Sequence, residues 1–216
     1  MKVLLVGSGE SGKHFSASML PHYDRIGIVN GALAGRRIKF DDYFAFDAGC
    51  WKYDWFYDTY QRATRMFTSP RIAGDNRLEE GPELHVFVHG GPAHIISDRP
   101  GAHIAQALIG KRQKEFPLIA LQGTVLHSAL HVYAWEDDVE SVTLLGFEHD
   151  LDREGRYHWY EDPIPYDQQP RLRPKLTRHV PSSARAITEA RRRIRVEFHE
   201  TMGGPLREFL DSVPKL

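Results

Sequence analysis

The chain has 216 residues, of which 41% are hydrophobic and 26% charged, with a formal net charge of −1. That length supports a full hydrophobic core, and the near-neutral total removes any global drive toward nucleic acid or an anionic membrane. One cysteine, Cys50, excludes an internal disulfide and suits a reducing cytoplasm, and the opening MKVLLVGSG reads as neither a signal peptide nor a membrane anchor.

In chain order, Val3 to Val6 reads as a buried parallel strand running into the turn Gly7-Ser8-Gly9-Glu10-Ser11-Gly12, which exposes backbone N–H groups to a phosphate or other polar ligand. A short helix is expected over Lys13 to Leu20, ended by Pro21. Arg25 to Val29 is a second strand ending at Asn30-Gly31, and Tyr43 to Phe46 is a third ending at Asp47. The aromatic stretch from Trp51 to Tyr60 reads as loop plus helix. Leu84 to Val88 is the next expected strand, running into His89-Gly90-Gly91-Pro92, followed by a helix over His103 to Lys114 and a strand over Leu118 to Leu121.

Gly123-Thr124 opens a helix whose apolar residues Val125, Leu126, Ala129, Leu130 and Tyr133 share one side. Ser141 to Gly146 is a strong strand. Asp150 to Pro174 lacks periodicity and reads as a long loop of the kind that forms lids. A helix capped by Ser182 or Ser183, a strand over Arg195 to Phe198 and a terminal helix around Leu206 to Leu210 complete the chain. Short apolar strands separated by helices predict an α/β fold: one Rossmann-like nucleotide-binding domain over 1–216, its mostly parallel sheet flanked by helices, with a lid-like loop at about 150–178.

GSGESG fits the dinucleotide pattern G-x-G-x-x-G, and GSGESGK fits the first seven positions of a P-loop. A P-loop needs a hydroxyl after its lysine for magnesium, and that place holds His14. A dinucleotide site needs an acid at the end of the second strand, and that place holds Asn30. What remains is a strand-to-helix turn suited to a nucleotide phosphate, beside the polar strand ends Asn30-Gly31, Asp47, His89-Gly90, Gln122-Gly123-Thr124 and Phe147-Glu148.

The order of these pieces resembles the bacterial CMP-sialic acid sialyltransferases and the related sialyltransferase-like family that includes archaeal pterin pyrophosphokinases and flagellar motility accessory proteins. The resemblance runs through Gly7-Ser8-Gly9-Glu10-Ser11, with Glu10 where the family has proline. Asn30 stands at the nucleotide-binding asparagine, and Asp47 where an asparagine is usual. Gly123-Thr124 opens the following helix, and Glu148 stands in place of an aspartate after the next strand. Tyr157 and Tyr160 loosely match a tyrosine-bearing loop, and His179 matches a histidine just ahead of a helix.

This resemblance implies a GT-A-variant, sialyltransferase-like fold and a metal-independent glycosyltransferase. A nucleotide-sugar donor, CMP-sugar-like, would serve as substrate with no further cofactor. Gly7, Ser8, Gly9, Ser11, Asn30, Gly31, Asp47, Gly123, Thr124 and Glu148 would bind it. His179 would be general base on the hydroxyl of a glycan or other acceptor, and Tyr157 or Tyr160 would hydrogen-bond the departing phosphate. A pterin or nucleotide pyrophosphokinase of the same superfamily, requiring magnesium, is the rival enzyme.

Two metal patterns also occur: the D-x-D of Asp150 and Asp152, and His127 with His131 at i, i+4 on one helix face. Charge is uneven too. Eleven acids and two arginines lie between Glu136 and Asp167, whereas nine basic residues and one acid, Glu189, lie between Arg171 and Arg195. The basic stretch is either a solvated face or a contact for phosphate, a polyanionic acceptor or, as a non-enzymatic alternative, nucleic acid.

Overall fold

The computed structural model describes residues 1–47, 49–73, 78, 81–86 and 124–212. Seven strands form one sheet: β1 (Lys2–Val6), β2 (Arg25–Val29), β3 (Asp42–Ala45), β4 (Arg65–Thr68), β5 (Glu83–Val86), β6 (Ser141–Leu145) and β7 (Arg195–Phe198). Their order is β5-β4-β3-β2-β1-β6-β7, and every neighbouring pair is parallel. The arrangement is Rossmann-like, and the predicted fold class stands.

Side chains on a strand alternate between faces, and β1 uses both. Val3 and Leu5 enter one core with α3 (Val125–Trp135), α5 (Val180–Ala190) and α6 (Pro205–Ser212). Leu4 and Val6 enter the other, with Phe15, Leu33 and the buried face of α1 (Asp54–Arg62). Continuous apolar runs follow from burial on both faces.

Three expectations are corrected. Instead of a helix over Lys13 to Leu20, two 3-10 turns span Glu10–His14 and Ala17–His22. Pro21 lies inside the second, and Ser16 and Ser18 bond each other rather than capping an α-helix. The long loop ends earlier than expected, because α4 (Gln169–Thr177) begins within it; Pro170 and Pro174 disguised that helix. The last long helix starts at Val180, so its cap position is His179 rather than Ser182 or Ser183. Strand β4 escaped notice because only Met66 and Phe67 make an apolar pair between Arg65 and Thr68. The expected elements from His89 through Gly123 lie outside the described residues, and the short helix α2 (Pro70–Ala73) has no counterpart among the expected elements.

Candidate functional site

Strands β1 and β6 are neighbours, yet the sheet grows from β1 toward β2 and from β6 toward β7, on opposite sides. Such a reversal leaves a crevice at the carboxyl ends, where open α/β sheets bind ligands. The two ends approach closely. A Cβ on Gly7 would lie 2.3 Å from the Gly146 carbonyl oxygen, and one on Gly146, at φ 84°, would lie 2.3 Å from that of Gly7. Above them is a cleft of about 90 Å³. Ser8 and Gly9 come to it from the first turn, Asn30 from the end of β2, Thr124 from the start of α3, His149 from beyond β6, and Tyr157 and His158 from the loop.

The first turn differs from its expected role in one respect. The Gly7 N–H donates to the Leu145 carbonyl (2.7 Å), Gly9 to Gly146 (2.9 Å) and Gly12 to Gly9 (2.9 Å). The Ser11 N–H donates to Glu148 Oε1 (3.0 Å), while the Ser11 hydroxyl accepts the Gly146 N–H (2.8 Å). The Gly7, Gly9 and Ser11 donors fasten the turn to the end of β6 and to Glu148, that of Gly12 closes the turn on Gly9, and these four are not turned toward an incoming phosphate. Glu148 is 8% exposed and is itself the anion at the turn. Burial raises its pKa, against the Ser11 hydrogen bonds that lower it. Its Oε2 has no hydrogen-bond partner among the described residues and packs on Gly9, where a Cβ would sit 2.1 Å away. Glu148 thus braces the turn from beneath instead of lining the cleft.

The loop after β6 is docked onto the strand ends. Ser8 Oγ and His158 Nδ1 are 2.6 Å apart, and the Trp159 N–H donates to the Ser8 carbonyl (3.1 Å). The Arg36 guanidinium lies 4.0 Å from the Trp159 ring centroid while donating to the carbonyls of Gly12, Lys13 and Phe15. The Tyr160 ring covers Gly31, where a Cβ would fall 2.4 Å from the phenol oxygen, and meets Trp55 edge-on at 5.9 Å. Burial pushes the Tyr160 phenol up strongly. Of the two loop tyrosines, Tyr157 reaches the cleft and Tyr160 is packed beside it.

Two histidines, His149 and His179, stand together at the other wall, across from His158 on Ser8. His149 adopts φ 58°, a left-handed backbone, and its Nε2 lies 2.9 Å from Ser183 Oγ, which lies 3.3 Å from Thr124 Oγ1. Burial, then the neighbouring His179 and His127, lowers its pKa to about 4. His158 is lowered to about 4 by burial. His179, half-buried at the start of α5, has its ring centroid 6.4 Å from that of His149 and accepts from the Arg178 Nε–H at 3.4 Å. Burial and then Arg178 lower it as well. Imidazoles with depressed pKa values are neutral at pH 7 and able to accept a proton.

The remaining sequence candidates fall elsewhere. Asp47 is exposed, and its Oδ1 accepts the Gly49 N–H at 2.8 Å outside the cleft lining. Asp150 pairs with Arg173 at 3.2 Å, and Asp152 Oδ1 accepts the N–H groups of Glu154 and Arg156, so the two D-x-D carboxylates do not converge. His127 is bonded through Nε2 to the Ser182 carbonyl, while His131 stacks on Trp135 at 6.1 Å. Among the described residues no group of three or more His, Cys, Asp or Glu side chains is arranged to hold a metal. Gly123 lies outside the described residues. His158 and Ser183 were missed in the sequence. His158 stood beside the noted Tyr157, but Ser183 carried no signal beyond a helix-cap reading.

The chain matches no protein-family model, and searches of curated proteins and of solved structures return no match. Among the described residues no helix is long and apolar enough to cross a membrane.

Proposed function

We propose that this chain is a glycosyltransferase that takes a sugar from a nucleotide-linked donor, of the CMP-sugar type, and passes it to an acceptor hydroxyl. One observation carries the reading. The switch-point cleft is lined by the neutral hydrogen-bonding side chains Ser8, Asn30, Thr124, His149, Tyr157 and His158 and by one carboxylate, Asp150, that is paired with Arg173, with a further low-pKa histidine, His179, beside it. Such a set suits the amides and hydroxyls of a nucleoside and a sugar. It offers little to a highly charged triphosphate.

Asn30 is held in the left-handed conformation at φ 49°, with its Oδ1 facing the Cys50 thiol at 3.6 Å, so its amide is pre-set at the strand end to meet base or ribose. Because the N–H groups of Gly7, Gly9 and Ser11 are bonded to the end of β6 and to Glu148, the donor phosphate is met chiefly by hydroxyls, those of Ser8, Thr124 and Tyr157. His179 removes the acceptor proton as the acceptor oxygen attacks the anomeric carbon. The bond from that carbon to the phosphate oxygen breaks, and the nucleotide leaves with the electron pair on its phosphate, hydrogen-bonded by Tyr157. A drug-sized ligand fills roughly 300–1,000 Å³, so the about 90 Å³ cleft admits a whole donor only when the 151–168 loop lifts from Ser8.

The test is a thermal-shift screen of CMP, UDP, GDP, NAD and ATP, with and without magnesium, followed by turnover of a CMP-sugar. A ligand at 100 times its Kd stabilises by about 2.7 kcal/mol. CMP should raise the melting temperature without magnesium, and turnover should persist in EDTA. His179→Ala should cut turnover by about 10²–10⁴-fold and leave the CMP shift in place. Unchanged turnover would remove His179 as base; a shift with ATP only, dependent on magnesium, would favour the pyrophosphokinase.

A further inference from the structure

The basic stretch of the sequence takes a definite form in the fold. Arg171, Arg178, Arg185 and Arg192 recur every seven residues, and all four are exposed. They lie on one nearly continuous helical path. Between α4 and α5 the backbone stays right-handed helical through Arg178 (φ −59°, ψ −21°) and His179 (φ −82°, ψ −14°), and the Arg178 N–H reaches the Pro174 carbonyl at 3.2 Å. Seven residues make almost two whole turns with a drift of about 20°, so such a series keeps to one side of a helix.

On α5 that side lies opposite the buried stripe of Val180, Ser183, Ala184, Ile187 and Ala190. Arg171, Arg185 and Arg192 have no ion pair among the described residues, and Lys175 adds a further exposed cation on α4. Glu189, the one acid of the stretch, stands within electrostatic reach of His131 on α3. The row also passes the cleft. Arg178 contacts His179, and Arg173 on α4 pairs with Asp150 at the cleft wall.

Unpaired cations aligned on solvent attract an anion of matching shape, and their spacing tells which. Successive arginines of the row are separated by about 10.5 Å of helix rise. A nucleic-acid strand carries a charge every ~3.4 Å and is usually held by stacking aromatics as well; Arg171 to Arg195 contains no aromatic residue. A polymer charged only once every few units fits the sparser row. Resting on the reading of the cleft as a transfer site, we propose that the acceptor is an anionic polysaccharide that lies along this arginine row and presents its end hydroxyl to His179.

The probe is a fluorescent hyaluronan oligosaccharide, with one carboxylate per disaccharide, followed by anisotropy against uncharged dextran and a DNA duplex. Binding should be present at low salt, fall as salt rises, and weaken at least tenfold in Arg171→Glu/Arg185→Glu/Arg192→Glu, three exposed changes away from the cleft lining. The same variant should keep its melting temperature and its CMP shift. No hyaluronan binding at low salt, or binding that survives the triple change, overturns the proposal. Tighter binding of the DNA duplex, lost in the triple variant, also overturns it and makes the row a nucleic-acid surface. Hyaluronan binding that follows the row in a protein that CMP does not stabilise upholds the polysaccharide contact and removes the donor reading alone.

Discussion

The two ends of the sheet treat polar groups in opposite ways. At the amino ends, the buried charges are paired. Asp42 at the start of β3 is fully buried, takes both arms of Arg65 (2.8 and 2.9 Å) and accepts the Tyr133 hydroxyl at 2.8 Å. Glu136 receives Arg65 (2.8 Å) and Arg25, and the Asp24 and Asp41 carboxylates accept the N–H groups of Lys2 and Ile26. At the carboxyl ends most polar groups around the cleft are neutral, histidines with lowered pKa values, an asparagine amide and hydroxyls, with Asp150 paired to Arg173 at the wall and Glu148 buried behind the turn. A paired network fixes geometry and leaves no bonding capacity for a ligand. A cleft of neutral donors and acceptors keeps that capacity, which is what a binding site requires.

The sharpest way to break this contrast is to unpair the amino end. Asp42→Ala leaves Arg65 with Glu136 as its remaining partner and leaves the buried Tyr133 hydroxyl without its acceptor, a change that costs about 3 kcal/mol. Urea unfolding should show the unfolding free energy lowered by that amount. A loss below ~1 kcal/mol would mean that the network is ornamental. The companion change Gly27→Ala meets the same hydroxyl, 2.3 Å from the added Cβ, and should destabilise by about 1–3 kcal/mol.

Next in size is the pH response of the carboxyl end. His149 and His158 have folded pKa values of about 4, below the ordinary value of 6.5. The unfolded chain therefore binds more protons between those limits, and stability falls as pH drops from about 6.5 to about 4. With both rings partly open to solvent, the loss is on the order of 2 kcal/mol each. Urea midpoints at pH 7 and pH 5 measure it, and His158→Gln should flatten the slope. An unchanged slope would place the acid sensitivity elsewhere.

Smaller effects separate cleft residues from their neighbours. Gly31→Ala pushes on the Tyr160 ring and should loosen the docked loop, seen as faster proteolysis within 151–168 at a global cost of about 1 kcal/mol. Asp47→Ala removes only an exposed hydrogen bond to the Gly49 N–H and should leave CMP affinity within about twofold and stability within about 0.5 kcal/mol. A large loss of affinity would extend the site to the end of β3.

What was legible in the sequence follows the same division. Strands buried on both faces announce themselves as apolar runs, so β1, β2, β3 and β6 could be read nearly to the residue. Local signals failed where tertiary contacts decide. The turn after β1 reads as a phosphate cradle, yet its Gly7, Gly9 and Ser11 amides are spent on Leu145, Gly146 and Glu148, groups that lie more than 130 residues away. The roles of Glu148, His158 and Ser183 depend on where the loop and α5 pack, and one chain's letters do not carry that. Asn30 and Thr124 were legible because the end of a strand and the start of a helix are themselves local features.

A nucleotide in the β1/β6 crevice, as proposed, would bind the chain in solution. The most direct measurement is titration calorimetry of CMP against the unaltered chain and against Asn30→Gly, which deletes the amide while tolerating the left-handed backbone at that position. One-to-one binding by the unaltered chain, weakened at least tenfold in Asn30→Gly, is the predicted result. Absence of binding, or equal affinity in the two proteins, would contradict the account.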